Sequence, residues 1–223
     1  YVLDNKNPEI VFTQGYSATN TFYDQMSYFC ICTFGGSEDL ISLYNRFEEQ
    51  QIKDLRLDAF FEVIGDEQYK MSKVGEKVYD CFVIRSAELY LNKAEAEAML
   101  DKAEAIQTIK TLLNNRFDGG IPDIDGLSGK DLVSFIRDER RRELCFEAHR
   151  WFDLRRYAVS PKYPEKKSIR HTAYDIKGKL EGDYVLKPYG EDPAWVLPIP
   201  GYEIVYNQGN LVDNPQRVDR ELE

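Results

Sequence analysis

Residues 140–156, RRRELCFEAHRWFDLRR, combine six arginines with three acidic residues, one cysteine and one histidine. Two of the acids, Glu143 and Glu147, are four residues apart, and a pair of carboxylates across a cleft could carry out acid–base catalysis. The arginines could instead form a basic surface for nucleic acid. A third possibility is a charged part of the protein core. The elements that position these side chains decide between the three.

A single helix from about residue 130 to residue 157 is predicted to carry this segment. Between Leu144 and Leu154, apolar side chains fall on every side of a helical wheel, and no side is wholly polar. A helix that is apolar nearly all round is enclosed by protein. The six arginines also point in nearly every direction and form no stripe, which argues against a nucleic-acid surface.

Enclosed carboxylates need cationic partners, because an unpaired buried charge is strongly destabilising. The sequence supplies some at helical-neighbour spacing, since Arg142 follows Glu139 by three residues and Arg150 follows Glu147 by three. We therefore predict a structural ion-pair network rather than a catalytic pair, with no catalytic residue. We expect its members to be mostly buried and paired, with Arg85 on the preceding helix as a further partner: Glu143, Glu147, Arg150 and Asp153.

The length, net charge and composition of the chain argue against several classes of protein. The 223 residues carry a formal net charge of -10, which disfavours nucleic acid or an anionic membrane as a partner of the whole surface. No apolar run approaches the roughly 20 residues that cross a bilayer. Two histidines and a lone Cys-x-Cys pair at Cys30 and Cys32 predict no metal site and no cofactor. Cys81 and Cys145 are predicted to be core thiols. A chain that begins at Tyr1, without Met or a signal peptide, is expected to be a processed form or an excised piece.

Periodicity and turn residues predict a mainly α-helical protein with long irregular loops and a few short strands. Two helices broken near Asp101 have the length of one tetratricopeptide-type repeat, although an ordinary helical hairpin fits as well. Ser37 is a plausible N-cap. The predicted elements are a strand at 9–13, a loop at 14–36, a helix at 37–50, extended chain at 54–64, a turn and strand at 72–80, helices at 82–100 and 102–117, a loop at 118–129, the helix at 130–157, aperiodic chain at 161–193 and an extended closing segment.

Several segments carry a resemblance to a known family. RDERRRELCFEAHRWFDLRRY at 137–157 resembles the signature helix of the SusD/RagB family of outer-membrane nutrient-binding lipoproteins. VIRSAELYLNKAEAEA at 83–98 resembles the helix before that signature, and AWVLPIPGYEIVYNQGNLVDNP at 194–215 resembles the family's closing segment. NPEIVF at 7–12 and DLISLYNRFEEQQIKDLRLDAFF at 39–61 resemble its middle region. Ala148 departs from the family, which usually has Gly after the Phe-Glu pair.

The resemblance implies a mainly α fold, a tetratricopeptide-like helical scaffold with long irregular loops. It implies that residues 1–223 form a single SusD/RagB-like C-terminal domain, with the N-terminal repeats and the lipid anchor outside this chain. Family members are not enzymes. They are lipid-anchored at the surface of the outer membrane of Bacteroidetes-type cells. They bind an oligosaccharide or another nutrient oligomer and pass it to a SusC-like TonB-dependent transporter.

A ligand site is predicted from the composition of residues 12–34, FTQGYSATNTFYDQMSYFCICTF. Seven of these residues are aromatic and only Asp24 is charged. Flat rings suit the C–H faces of sugars, and neutral amides and hydroxyls suit their hydroxyl rim. The alternative is that the rings pack inward and hold the loop to the core. The candidate ligand-binding residues are Tyr16, Asn20, Phe22, Tyr23 and Tyr28, and residues 161–193 are a second candidate segment.

Two other classes of function are weighed against ligand binding. A helical-repeat protein-interaction scaffold without small-ligand binding would present a concave polar or charged groove. A glycoside hydrolase would need two carboxylates facing each other across a cleft, about 5–10 Å apart.

Overall fold

The computed structural model describes residues 7–15, 35–64, 68–73, 80–175, 177, 179–215 and 221–222. The α-helices of these residues are α1 (Glu38–Tyr44), α2 (Arg56–Phe60), α3 (Ser86–Met99), α4 (Glu104–Leu113), α5 (Gly129–Glu143), α6 (Arg150–Ala158) and α7 (Gly201–Tyr206), with short 3-10 helices at Asn45–Gln50 and Pro193–Trp195. The strands are β1 (Ile10–Gly15), β2 (Lys53–Asp54), β3 (Phe61–Ile64), β4 (Gln68–Met71), β5 (Asp80–Arg85), β6 (Phe117–Asp118), β7 (Ile169–Tyr174) and β8 (Leu180–Leu186).

The described strands form only two-stranded antiparallel sheets: β1 with β5, β2 with β6, β3 with β4, and β7 with β8. The predominantly helical class with a few short strands is therefore confirmed. The finer prediction of a tetratricopeptide-like scaffold stays a prediction. Contacts along the chain group into two compact units, residues 1–150 and residues 151–223. The single domain over residues 1–223 stays a prediction.

The first unit is built on the helical hairpin α3–α4, which packs against α5. Small residues of α3, among them Ala87, Ala94 and Ala98, are buried and allow neighbouring helices to approach closely. The turn falls at Asp101, which adopts φ 55°, so the predicted break is confirmed. The predicted helical start at residue 82 is wrong, because residues 80–85 form β5 and pair with β1. Backbone hydrogen bonding to β1, which is distant in the sequence, therefore outweighs the local helical pattern of these residues.

A small apolar cluster lies under α1 and consists of Leu40, Ile41, Tyr44, Phe60, Phe61 and Cys145. The predicted core location of Cys145 is confirmed. Ser37 occupies the N-cap position, but its hydroxyl donates to the Asp39 carboxylate instead of capping a backbone amide. The extended chain predicted for 54–64 is partly wrong: only β3 is extended after α2. The Asp54 carboxylate accepts from the backbone N–H of Arg56 and fixes a turn where a strand was expected.

The signature segment is not one helix, so the prediction of a helix over 130–157 is wrong. α5 ends at Glu143 and α6 begins at Arg150. Between them Phe146 has φ 61° and Ala148 has φ 62°, a left-handed backbone that an α-helix cannot contain. The last carbonyl groups of α5 are taken by side chains from elsewhere in the unit, and the helix therefore stops.

Three donors satisfy these carbonyls. Lys73 Nζ donates to the carbonyl oxygens of Glu143 at 2.8 Å and Cys145 at 3.0 Å. Arg85 donates to the same Glu143 carbonyl at 2.6 Å, and the Tyr44 hydroxyl donates to the Arg142 carbonyl at 2.7 Å. Helix C-termini leave such carbonyls without intrahelical partners, and buried cations are strong partners for them.

The second unit is held by Trp195, which is fully buried. Its ring lies 4.4 Å from that of Trp151, measured between centroids, and Tyr189 contacts it edge-on at 5.9 Å. The indole N–H donates to the carbonyl of Lys187 at 2.7 Å. The aperiodic segment 161–193 contains the β7–β8 hairpin, which the sequence did not predict. The signature segment was predicted to be enclosed by protein on every side. That prediction is wrong at Phe152, which is 64% exposed.

Candidate functional site

Glu143 stands at the centre of a buried charge network. Its carboxylate accepts hydrogen bonds from three arginines, Arg56 at 3.0 Å, Arg116 at 2.9 Å and Arg85 at 2.5 Å. Arg116 extends the network outward by donating to both oxygens of Glu9 at 2.9 Å. The carboxylate is completely buried, so α5 inserts one charge among cations from three other segments.

Glu147 lies beside this centre, just beyond the end of α5. Its carboxylate is paired with Lys73 at 2.5 Å and with Arg85 at 2.8 Å. Lys73 is fully buried, and its ammonium lies over the Phe60 ring at 4.1 Å from the centroid. Since the helix is interrupted here, the predicted i,i+3 geometry toward Arg150 does not apply. Glu147 instead ties the loop between α5 and α6 to β5.

A second group of charges lies one turn earlier on α5. Glu139 pairs with Arg142 at 2.5 Å, the i,i+3 pair that the spacing predicted. Arg56 bridges Glu139 and Glu143 and also meets Asp54 at 2.7 Å. All five side chains are buried, so the network joins α5 to the turn between β2 and α2.

Opposing effects act on the carboxyl pKa values. Burial alone raises the pKa of Glu143, but the guanidinium groups of Arg85, Arg56 and Arg116 outweigh burial and hold that pKa well below its ordinary value. Burial likewise opposes the neighbouring cations at the other two glutamates, and the cations again prevail. The pKa values of Glu139 and Glu147 are therefore lowered.

This geometry supports structure, not acid–base chemistry. A general acid needs a carboxyl that is protonated near neutral pH and can reach a substrate. Glu143 and Glu147 are ionised, enclosed and fully engaged with cations. The predicted structural network is confirmed for both, as is the partner role of Arg85. Asp153, in the second unit, is buried and pairs with Arg156 at 2.9 Å, as predicted. Arg150, the last residue of the first unit, is only half-buried, so its predicted burial is wrong.

Sequence reasoning missed five members of the network: Glu9, Asp54, Arg56, Lys73 and Arg116. Each lies more than 25 residues from Glu143 in the sequence. Asp54 and Arg56 also stand in a segment that was predicted to be extended, and Lys73 stands in a predicted turn. One signal was available. Arg56 stands in KDLRLDAFF, a few residues before Phe60 and Phe61, which are buried in the apolar cluster.

The predicted ligand residues Tyr16, Asn20, Phe22, Tyr23 and Tyr28 lie outside the described residues. The described chain on either side of them is held by backbone pairing. Gly15 ends β1 opposite Asp80 of β5, and Gly35 forms a bridge to Lys70 of β4. The amide of Gly36 donates to the carbonyl of Tyr69 at 2.8 Å. The described residues on either side of 16–34 therefore belong to paired backbone in the first unit.

The second candidate segment, residues 161–193, presents two exposed tyrosines on its hairpin, Tyr174 and Tyr184. Tyr184 pairs across the strands with His171. Asp183 accepts from Arg170 at 2.6 Å and from Thr172 at 2.7 Å, and these hydrogen bonds lower its pKa. The hairpin thus combines exposed aromatic rings with polar side chains held by hydrogen bonds, and this mixture suits a hydroxyl-rich ligand.

The fold and the buried ion-pair network together define a helical scaffold. The glutamates of the signature segment have a structural role in it. Among the described residues, no helix is long and apolar enough to span a bilayer. Residues 55–216 match the SusD family. SusD-like protein P38 of Formosa agariphila is 34% identical over 113 residues, which are 47% of this chain and 21% of that protein. SusD-like protein P2 of the same organism is 28% identical over 147 residues, 59% of this chain and 25% of that protein.

Solved structures show the same fold. A SusD-like carbohydrate binding protein from Bacteroides vulgatus superposes with a TM-score of 0.59 at 18% identity, over 93% of this chain and 49% of that one. A SusD-like protein from Bacteroides fragilis gives a TM-score of 0.53 at 18% identity, over 96% of this chain and 55% of that one. The chain belongs to the SusD family. It spans about half the length of these structures, and its matches span a quarter or less of the two relatives.

Proposed function

We propose that this chain is part of a surface protein that binds glycan and does not alter it chemically. The observation that carries the proposal is the family match over residues 55–216. A solved structure with the same fold, from Bacteroides vulgatus, is described as carbohydrate binding. In this proposal the chain forms one C-terminal domain on a tetratricopeptide-like scaffold. An N-terminal lipid anchor outside the chain holds the protein at the outer membrane, and a SusC-like TonB-dependent transporter receives the glycan.

The ligand surface in this proposal is the aromatic segment at residues 12–34. Its composition suits sugars, since rings can stack on C–H faces while amides and hydroxyls bond the rim. The described residues on either side of 16–34, Gly15 and Gly35, lie in paired backbone of the first unit. Tyr23 and Tyr28 are the preferred stacking pair, because their hydroxyls tolerate water while their rings cover sugar.

Binding without turnover is supported by the state of the carboxylates in the signature. Glu139, Glu143 and Glu147 are buried among cations that hold them ionised. Such groups are poor proton donors at neutral pH and cannot touch a large substrate.

The test is binding of the full-length protein to a panel of oligosaccharides, followed by Tyr23→Ala/Tyr28→Ala. We expect the double variant to lose binding at least about tenfold, because each stacked ring contributes roughly 0.5–1.5 kcal/mol beyond its area. Its melting temperature should stay nearly unchanged. Tyr206→Ala, which removes an exposed tyrosine of α7, is the matched control and should retain binding.

Other results would count against the proposal in distinct ways. A marked fall in melting temperature for the double variant would place the two rings in the core. Loss of binding with Tyr174→Ala alone would move the ligand surface to the β7–β8 hairpin. Glycan cleavage that disappears on changing a single carboxylate would show an enzyme.

A further inference from the structure

The ribbon formed by β1 and β5 carries the start of the aromatic segment. Phe12, the first aromatic residue of that segment, lies on β1, and residues 16–34 follow β1 in the sequence. Phe12 is 55% exposed, and its cross-strand neighbour Ile84 is 43% exposed. A two-stranded ribbon is marginally stable in water unless it packs on other elements, and this exposed pair supplies no such packing. The position of the ribbon therefore depends on how its base is held.

Glu9, which immediately precedes β1, ties the base of the ribbon to the buried ion-pair network. Both of its carboxylate oxygens accept hydrogen bonds from Arg116 Nη2 at 2.9 Å, and one oxygen lies 3.6 Å from Arg85 Nη1. Arg85 ends β5, and Arg116 also donates to Glu143 at 2.9 Å. The Glu9 carbonyl accepts from the backbone N–H of Ser86 at 2.8 Å. One residue thus links β1 and β5 to α5.

The same network reaches the described chain on the other side of residues 16–34. Gly35 forms a bridge to Lys70 of β4, and Lys73 follows Lys70 by three residues. Lys73 is fully buried, and its ammonium pairs with Glu147. The strands next to residues 16–34 therefore share one buried anchor in the first unit.

We propose that Glu9 is a positioning residue for glycan binding. Its hydrogen bonds to Arg116 hold the β1–β5 ribbon, and with it the start of the aromatic segment, in one place on the first unit. This inference rests on the proposed function, in which residues 12–34 bind the glycan. A binding surface that is held in place before the ligand arrives avoids the free-energy cost of ordering it on binding.

Glu9→Ala in the full-length protein separates positioning from stability. Glu9 is one-third exposed, and Arg85 and Arg116 both keep hydrogen bonds to Glu143 when its carboxylate is removed. The variant therefore leaves no buried arginine without a carboxylate partner. The matched control is Asp138→Ala, which removes a partly exposed carboxylate of α5 that pairs with Arg46 at 3.1 Å.

Binding is measured by isothermal titration calorimetry with maltohexaose, cellohexaose, xylohexaose and mannohexaose, well below the melting temperature of every variant. For each sugar that the unsubstituted protein binds, we expect Glu9→Ala to raise the dissociation constant at least about threefold, as for other residues that act on a site through an intervening element. Asp138→Ala should leave the constant unchanged. A loss of global stability alone would not alter binding under these conditions, because all three proteins are fully folded.

Amide hydrogen exchange gives a second readout that needs no ligand. We expect the amides of the β1–β5 ladder to exchange at least about tenfold faster in Glu9→Ala, because opening of the ribbon no longer breaks the hydrogen bonds between Glu9 and Arg116. Amides of α3 and α4 should keep their rates, and Asp138→Ala should leave the ladder unchanged.

The two readouts distinguish failure of this inference from failure of the proposed function. Unchanged affinity in Glu9→Ala, for a sugar that the unsubstituted protein binds, would overturn the positioning role and leave glycan binding standing. Exchange that stays unchanged in the ladder, or rises equally in every element, would also overturn it. Absence of binding to all four sugars by the unsubstituted protein would count against the proposed function, and with it against a positioning role in glycan binding.

Discussion

Glu147 is held by two cations that come from different parts of the chain, Lys73 and Arg85. Glu147→Ala would leave both cations buried without this carboxylate. We expect the free energy of unfolding to fall by about 3–5 kcal/mol, because breaking a buried pair leaves an uncompensated charge. Urea denaturation measures the change.

The matched control is Glu49→Ala, which removes an exposed carboxylate of the 3-10 helix after α1. It should change stability by less than about 0.5 kcal/mol. Equal effects for the two variants would contradict a structural role for the network.

Ala148 occupies a left-handed backbone position with φ 62°. A side chain there meets steric strain that glycine avoids. Ala148→Gly should therefore stabilise the protein by about 0.5–1 kcal/mol, the relief of strain exceeding the added entropy of the unfolded chain. Thermal denaturation would show the effect as a higher melting temperature.

The same substitution within a regular helix should have the opposite effect on stability. Ala96→Gly in the middle of α3 should destabilise by about 1 kcal/mol, because glycine lowers helix propensity. If both substitutions destabilise equally, residue 148 does not adopt a left-handed conformation.

At the scale of elements, the closing segment depends on Trp195. This side chain is buried against Trp151 and Tyr189, and its N–H is bonded to the Lys187 carbonyl. Trp195→Ala removes the ring contacts and the hydrogen bond together. We expect a loss of about 3–5 kcal/mol, as for other large buried aromatics.

Phe152→Ala serves as the control for Trp195→Ala, since Phe152 is on α6 yet mostly exposed. Phe152→Ala should lower the free energy of unfolding far less than Trp195→Ala does. Near-ultraviolet circular dichroism would show whether the tryptophan environment is lost in one variant and kept in the other. Retention of that signal in Trp195→Ala, with unchanged stability, would contradict the packing described for this unit.

Elements with their own periodicity could be predicted from the sequence, and elements fixed by distant groups could not. The break between α3 and α4, the loop at 118–129 and β1 were predicted, because local turn residues and patterns specify them. The interruption of the signature helix was not, since it depends on Lys73 and Arg85 reaching the last carbonyls of α5. The departure at Ala148, where the family usually has Gly, was the one local sign of a left-handed turn.

The same limit applied to the candidate site. Glu143, Glu147 and Arg85 were correctly joined in one network, because enclosed charges require partners. Arg56 and Arg116 were not, because only the folded chain brings their segments to α5. The ligand residues of the aromatic segment were chosen by composition, and they remain a prediction.

For the whole molecule, the buried glutamates set how stability depends on pH. Glu139, Glu143 and Glu147 all have pKa values lowered in the folded protein. A carboxyl with a lowered folded pKa stabilises the protein fully above its unfolded pKa, and this stabilisation is lost as the pH falls through the folded pKa. The unfolded value is about 4.3 for glutamate.

Unfolding free energy should therefore vary little through this network above about pH 5 and decline steeply below about pH 4.3. Each of the three groups can add up to about 1.4 kcal/mol per pH unit to that slope. Urea titrations at successive pH values measure it, and Glu147→Gln, which keeps the shape of the side chain without its charge, should reduce the slope by about one proton. A stability that stays flat to pH 3, or a slope identical in Glu147→Gln, would contradict this account, because the folded state would then hold no carboxyl of lowered pKa at that position.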